Sequence, residues 1–219
     1  MDPTINGMFN YKTYLKYKKL SYMYTDTLNI SFFRKDATFD TLYPSHIREL
    51  SQLHWTGLGV ALEASNFLAS PGARVLDIGS GVGKFCIAAG VYHPEASFHG
   101  IEQRKELFGY AETAKEQIGV QNVHFRHGNL TSLNYDEYDH FYFYNSFYEN
   151  IEPESRIDYA VHTSYELYNT YTFHIREMLA SKPAGTRLVT YYAPDKQVPT
   201  GYTLINNSYS RYLKMWVKE

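Results

Sequence analysis

From Arg74 onward the chain alternates short apolar runs with longer amphipathic segments, and this alternation restricts its fold more than any other feature. Arg74 to Ile78 reads as a buried strand, Lys84 to Tyr92 as a helix, Ser97 to Glu102 as a strand and Lys105 to Gln117 as a helix. Val123 to His127 and Asp139 to Tyr144 read as strands, Ile157 to Ala180 as a long helix and Arg187 to Tyr192 as a fifth strand. Thr203 to Ile205 and Tyr212 to Val217 have no room for a helix between them, so an antiparallel hairpin is expected there. Repeating units of this length imply an α/β fold, a mostly parallel sheet with helices on both faces.

Ahead of the first strand, Leu58, Ala61, Leu62, Ser65 and Leu68 repeat at helical spacing within a helical zone from Pro44 to Ala69, with Thr56 placed as an N-cap. Residues 1–43 form a separate arm in which Tyr11, Tyr14, Tyr17, Tyr22 and Tyr24 interleave with Lys12, Lys16, Lys18 and Lys19. Met8, Tyr11, Leu15 and Tyr22 share one face of a short amphipathic helix, as a lid over a ligand or as a packing arm with a solvated basic face. The 219 residues suffice for one domain, 44–219, plus this helical extension.

The segment Val75-Leu76-Asp77-Ile78-Gly79-Ser80-Gly81-Val82-Gly83 is a strand, a glycine-rich turn and a helix start. Glycines there let backbone approach a ligand closely. A pyrophosphate loop favours G-x-G-x-x-G, which would need glycine at Lys84, and Asp77 at the strand end would repel a pyrophosphate. A carboxylate in that place suits a ligand with positive charge, such as S-adenosylmethionine (SAM), which carries a sulfonium and an ammonium. Glu102 ends the second strand 19 positions after Gly83, the spacing of a ribose-binding carboxylate with two oxygens for two vicinal hydroxyls. Gln103 follows it and is counted with the cofactor-binding residues, as are Gly79, Ser80, Gly81 and Gly83. At the end of the third strand, Asn129 is a candidate acceptor for an adenine amino group and Leu130 for packing on the ring.

Turn, preceding Asp and following Glu together resemble motifs I to III of the class I SAM-dependent methyltransferases, over roughly Leu50 to Glu219. The resemblance implies a doubly wound, mostly parallel seven-stranded sheet with an antiparallel last strand, and SAM at the carboxyl ends of the strands. After the fourth strand comes Asn145-Ser146-Phe147-Tyr148-Glu149. Amine-methylating branches carry Asn-Pro-Pro-Tyr or Asn-Pro-Phe there; this chain keeps Asn145 and the aromatics but has Ser146 for the proline. The stretch is also similar to that of the non-SET histone-lysine methyltransferases, and that likeness implies that Thr56 helps hold the SAM carboxylate. Asn145 and Tyr148 are the candidate catalytic residues, with Phe147 or Tyr148 packing on the acceptor.

The leading expectation is methyl transfer to a nitrogen of a protein side chain or a small amine. O-methylation of a small molecule and a non-catalytic SAM-binding module stay open beside it. A net charge of −2 argues against a nucleic-acid acceptor, although the lysines of the arm keep one open. Nine scattered histidines and one cysteine give no metal-ligand spacing, so no metal is expected. Cys86, with Phe85, Ile87 and Ala89 around it, reads as packing. With no signal peptide and no run of about 18 apolar residues, the chain is expected in the cytoplasm, away from membranes.

Overall fold

The structure is a computed structural model that describes residues 30–219. The amphipathic helix expected around Met8 to Tyr22, and the question of a lid there, lie outside the described residues. Seven strands form one sheet: β1 (Arg74–Ile78), β2 (Ser97–Glu102), β3 (Val123–His127), β4 (His140–Tyr144), β5 (Arg187–Tyr191), β6 (Tyr202–Ser208) and β7 (Leu213–Lys218). Their order is β3-β2-β1-β4-β5-β7-β6. The first five are parallel, and β7 inserts antiparallel between β5 and β6.

The helices are α1 (Asp36–Phe39), α2 (Ser45–Arg48), α3 (Ser51–His54), α4 (Leu58–Leu68), α5 (Lys84–Tyr92), α6 (Lys105–Ile118) and α7 (Tyr165–Ser181). Side chains alternate across a strand, so β1 divides its residues between two cores. Val75 packs with Ala61, Leu68, Ile87 and Val91 of α4 and α5. Leu76 and Ile78 face the other way, with Phe141, Phe143 and the Ile175 and Leu179 of α7. Phe33, Phe39 and Tyr43 belong to the first core, and burying each such ring contributes about 1.5–3 kcal/mol. No helix among the described residues is long and apolar enough to cross a membrane.

Two local expectations are corrected. The long helix starts at Tyr165 rather than Ile157, because the Ser164 side chain caps it by accepting the Leu167 N–H at 3.2 Å. Thr56 is not the N-cap of α4. Gly57 holds that position, and Asp36, distant in sequence, accepts the Leu58 N–H at 2.8 Å.

Candidate active site

A cavity of about 1060 Å³ opens at the carboxyl ends of β1, β2 and β4. Chain order reverses there, since β1 lies between β2 and β4, and an open α/β sheet binds its ligands at such a switch point. Its rim gathers Thr56, Asp77, Gly79, Ser80, Gly81, Glu102, Gln103, Asn129, Leu130, Asn145 and Tyr148 from five separate stretches of sequence. Gly83 does not line it. With φ of +82° it turns the chain into α5, and a Cβ there would run into the Phe125 ring of β3. Gly79 (φ +78°) is required by close approach, because a Cβ would meet that of Ser146 at 2.8 Å. Ser146 in turn donates from its hydroxyl to the Ile78 carbonyl, tying the loop after β4 to the glycine turn.

Acidic groups dominate the inner wall. Asp77 is 4 % exposed and takes one side-chain bond among the described residues, from the Cys86 thiol at 3.7 Å. Burial, reinforced by the Glu102 charge, pushes its carboxyl up to about 8. Cys86, expected only to pack, is therefore the partner that moderates this shift. Glu102 accepts the Arg104 N–H at 2.7 Å on one oxygen and the Gly81 N–H at 3.0 Å on the other, which pins the glycine turn to β2. Burial raises its carboxyl above the usual range, against the pull of those N–H groups. The Ser80 hydroxyl is buried at the rim with no partner among the described residues.

Two cations near this wall are already neutralised, and no motif pointed to either. Lys84, 3 % exposed, places its ammonium 2.7 Å from Asp36 and 2.6 Å from Asp40, near the rings of Phe39 and Trp55. Arg104 is clasped bidentately by Glu149 at 3.0 and 2.6 Å and held by Asp158 at 3.0 Å. Glu149, the last residue of the stretch that follows β4, thus serves as a partner of Arg104. The buried carboxyl groups, the Ser80 hydroxyl unpartnered among the described residues and the glycine cradle fit a small ligand carrying cationic groups and hydroxyls, and they fit SAM.

Toward the mouth the chemistry changes. Asn145 follows β4 with φ of +39°, a left-handed conformation that asparagine tolerates better than most residues, and its amide makes no hydrogen bond among the described residues. Phe147 turns into the second core against Phe143 (4.9 Å) and Tyr171 (5.5 Å), which leaves the 40 %-exposed Tyr148 as the aromatic at the opening. Asn129 spends its carbonyl on the Thr131 N–H and hydroxyl (3.0 and 2.9 Å) and its amide on Tyr171 and Gln103. The Thr56 hydroxyl lies 2.9 Å from that of Tyr142. Tyr144, Tyr191 and Tyr192 complete the opening, and nothing in the sequence pattern singled them out.

The family model of the methyltransferase domain matches residues 69–159, the segment that builds β1 to β4 and the inner wall. The chain is 32 % identical over 121 residues to ribosomal RNA small subunit methyltransferase G of Christiangramia forsetii, covering 54 % of this chain and 52 % of that protein. It is 38 % identical over 55 residues to a tRNA (guanine-N(7)-)-methyltransferase of Synechococcus sp., covering 25 % and 23 %. The aligned part thus spans about half of the first relative and a quarter of the second. Among solved structures, TrmN from Thermus thermophilus superposes with a TM-score of 0.55 at 19 % identity, over 78 % of this chain and 51 % of that one. These comparisons do not show the likeness to histone-lysine methyltransferases. They overturn the expectation that a net charge of −2 disfavours nucleic acid, since both curated relatives are named for RNA. A whole-chain charge averages over the surface and does not measure a local binding face.

Proposed function

Because this chain carries a methyltransferase domain on the class I, SAM-dependent fold, we propose that it transfers a methyl group from SAM to a ring nitrogen of an RNA base. The observation that carries the methyl-transfer reading is Asp77, buried beneath the glycine turn without a cationic partner among the described residues and facing the same cavity as Glu102. A ligand ammonium supplies the missing charge for Asp77, and two ribose hydroxyls suit Glu102, whose carboxylate keeps lone pairs beyond the two N–H groups it accepts. The RNA reading is supported by the names of the curated relatives, one of which specifies guanine N7.

The chemistry suits a site without a general base. Guanine N7 attacks with an in-plane lone pair that carries no proton, the N–CH3 bond forms as the S–CH3 bond breaks, and the thioether leaves uncharged. What remains for the protein is alignment and exclusion of water. Asn145, with its amide unengaged among the described residues, stands after β4 at the cavity and is suited to hold the base edge, with Tyr148 to cover it. An acceptor of this kind places the protein's work in the cytoplasm, with ribosomes and tRNA. The test is incubation with methyl-labelled SAM and total RNA, followed by digestion to nucleosides. Label in 7-methylguanosine or another ring-methylated nucleoside is the expected result. Label confined to protein or small molecules, or SAM bound without turnover, rejects the reading.

A further inference from the structure

Five tyrosines from three separate segments meet beside the cavity mouth. Tyr144 ends β4, Tyr191 ends β5 with Tyr192 directly after it, and Tyr209 and Tyr212 lie between β6 and β7. Tyr144 lies 4.8 Å from Tyr191 and 6.2 Å from Tyr192, centroid to centroid, and Tyr191 lies 6.4 Å from Tyr209. Tyr192 and Tyr212 are stacked, 4.3 Å apart and within 16° of parallel. Both remain about half open to solvent, at 46 % and 49 %. Tyr144, Tyr191 and Tyr209 pack against the first core, so core burial accounts for those three and leaves the Tyr192–Tyr212 stack without such an explanation.

The backbone is bent to place these rings. Tyr192 has φ of +52°, and Tyr209, Ser210 and Arg211 follow one another at +49°, +57° and +73°, none of them glycine. The run at 209–211 is the tight turn between β6 and β7, whose favoured hairpin types need positive φ, and it holds Tyr209 and Tyr212 at fixed places on either side. The Tyr192 N–H donates to the Tyr212 carbonyl at 3.1 Å, which locks the end of β5 to the start of β7 and fixes the stack. Arg211, exposed beside it, makes no ion pair among the described residues.

We propose that the Tyr192–Tyr212 pair is a stacking platform for an unpaired RNA nucleotide next to the one methylated, a step that rests on the RNA reading above. Tyr192 itself lines the cavity, and Tyr144 joins it to Asn145, the next residue in the chain. A base that reaches the cavity has left its own stack, and its neighbour has lost a stacking partner. An open tyrosine face replaces that partner and tolerates any base, since every base has a π-face. The Arg211 guanidinium is suited to the adjoining phosphate. A protein surface is the less favoured occupant, because flat rings opening onto a deep cavity match a base better than a side chain.

The experiment measures anisotropy of a labelled single-stranded RNA of about 12 nucleotides with the full chain and its variants. Tyr212→Ala and Tyr192→Ala should each weaken binding roughly tenfold. Tyr212→Phe, which keeps the ring, should stay within about threefold, while Tyr212→Leu, which keeps bulk without a flat face, should behave as the alanine variant. The double alanine variant should lose less than the product of the two, because the rings act as one stack. SAM affinity of Tyr212→Ala should equal the parent's, as Tyr212 lies outside the cavity. If the parent methylates RNA and the Ala and Leu variants bind and methylate it equally well, the platform is wrong and the RNA reading survives. A parent that neither binds nor methylates RNA removes both. Methylation of protein that depends on Tyr212 overturns the proposal in favour of a protein partner.

Discussion

The two sides of the switch point are built from opposite materials. On the β1–β2–β3 side the strand ends carry Asp77, Glu102 and a glycine turn, enclosed and acidic, with the Lys84 and Arg104 charges already taken by Asp36, Asp40, Glu149 and Asp158. On the β4–β5–β7 side they carry Asn145 and a shelf of tyrosines, more open and without carboxylates at the rings, with Arg211 exposed beside them. One side recognises a small cation by withdrawing carboxylates from water. The other presents surface to something larger and depends on shape. Buried charge on the first side carries fold stability as well as ligand affinity, whereas half-exposed rings on the second carry little of the fold.

The largest expected effect tests that contrast through stability. Lys84→Met leaves Asp40 buried without its cation, and breaking such a pair costs about 3 kcal/mol or more. The lower end is expected, because burial has already raised the Asp40 carboxyl and protonation limits the loss. On the tyrosine side, Tyr212→Leu should change stability by less than about 0.5 kcal/mol. Chemical denaturation of both variants checks this, and equal losses would erase the distinction between the sides.

The next effect is on turnover. Asn145→Ala should keep SAM affinity within a few-fold and cut turnover by about 10²-fold, the scale of losing a positioning group. Alanine also strains the φ of +39°, so Asn145→Gly is the cleaner variant: it relieves the backbone and still removes the amide. Undiminished turnover in the glycine variant would take the amide out of the mechanism. Smaller again is Glu102→Ala, which should weaken SAM by roughly 1–3 kcal/mol through lost charge-assisted hydrogen bonds. Calorimetry showing parental affinity would end the ribose assignment.

How much of this was legible depended on how local the signal was. The strands and turn from Arg74 to Glu102 could be read directly, because their glycines, carboxylates and apolar runs are contiguous and act where they stand. Thr56 reads as an N-cap, yet Gly57 takes that position and the carboxylate that accepts the first helical N–H comes from Asp36, 22 residues away and beyond any local pattern. The start of α7 was placed too early because 157–164 contains residues with helical-looking spacing. In the fold Asp158 is spent on Arg104, and Ser164 sets the boundary. The tyrosine shelf was invisible for the same reason. Tyr144, Tyr192 and Tyr212 meet only when β4, β5 and β7 become neighbours, and in a chain with 22 tyrosines no single one stood out.

The smallest effect, a proton, gives the sharpest reading of the acidic side. Asp77 is held at about 8, first by burial and then by the Glu102 charge, so near neutral pH the free protein keeps it largely protonated. Its folded value lies above its unfolded one. The stability it contributes is therefore full below the unfolded value, near 3.8, and is lost as pH rises through about 8. A ligand ammonium placed against Asp77 reverses the preference, because the ionised carboxylate now has a partner. SAM binding near neutral pH should then release close to one proton, and affinity should rise by up to roughly tenfold per pH unit toward about pH 8. Calorimetry in buffers of different ionisation enthalpy counts that proton directly. Asp77→Asn should abolish the release, flatten the pH dependence and bind SAM more weakly at about pH 8, since a neutral amide attracts a cation less than a carboxylate does. If the asparagine variant still releases the proton, it comes from another group, with Glu102 as the neighbour whose carboxyl is also raised. A parent that binds SAM with no proton released would mean that Asp77 does not meet the ammonium.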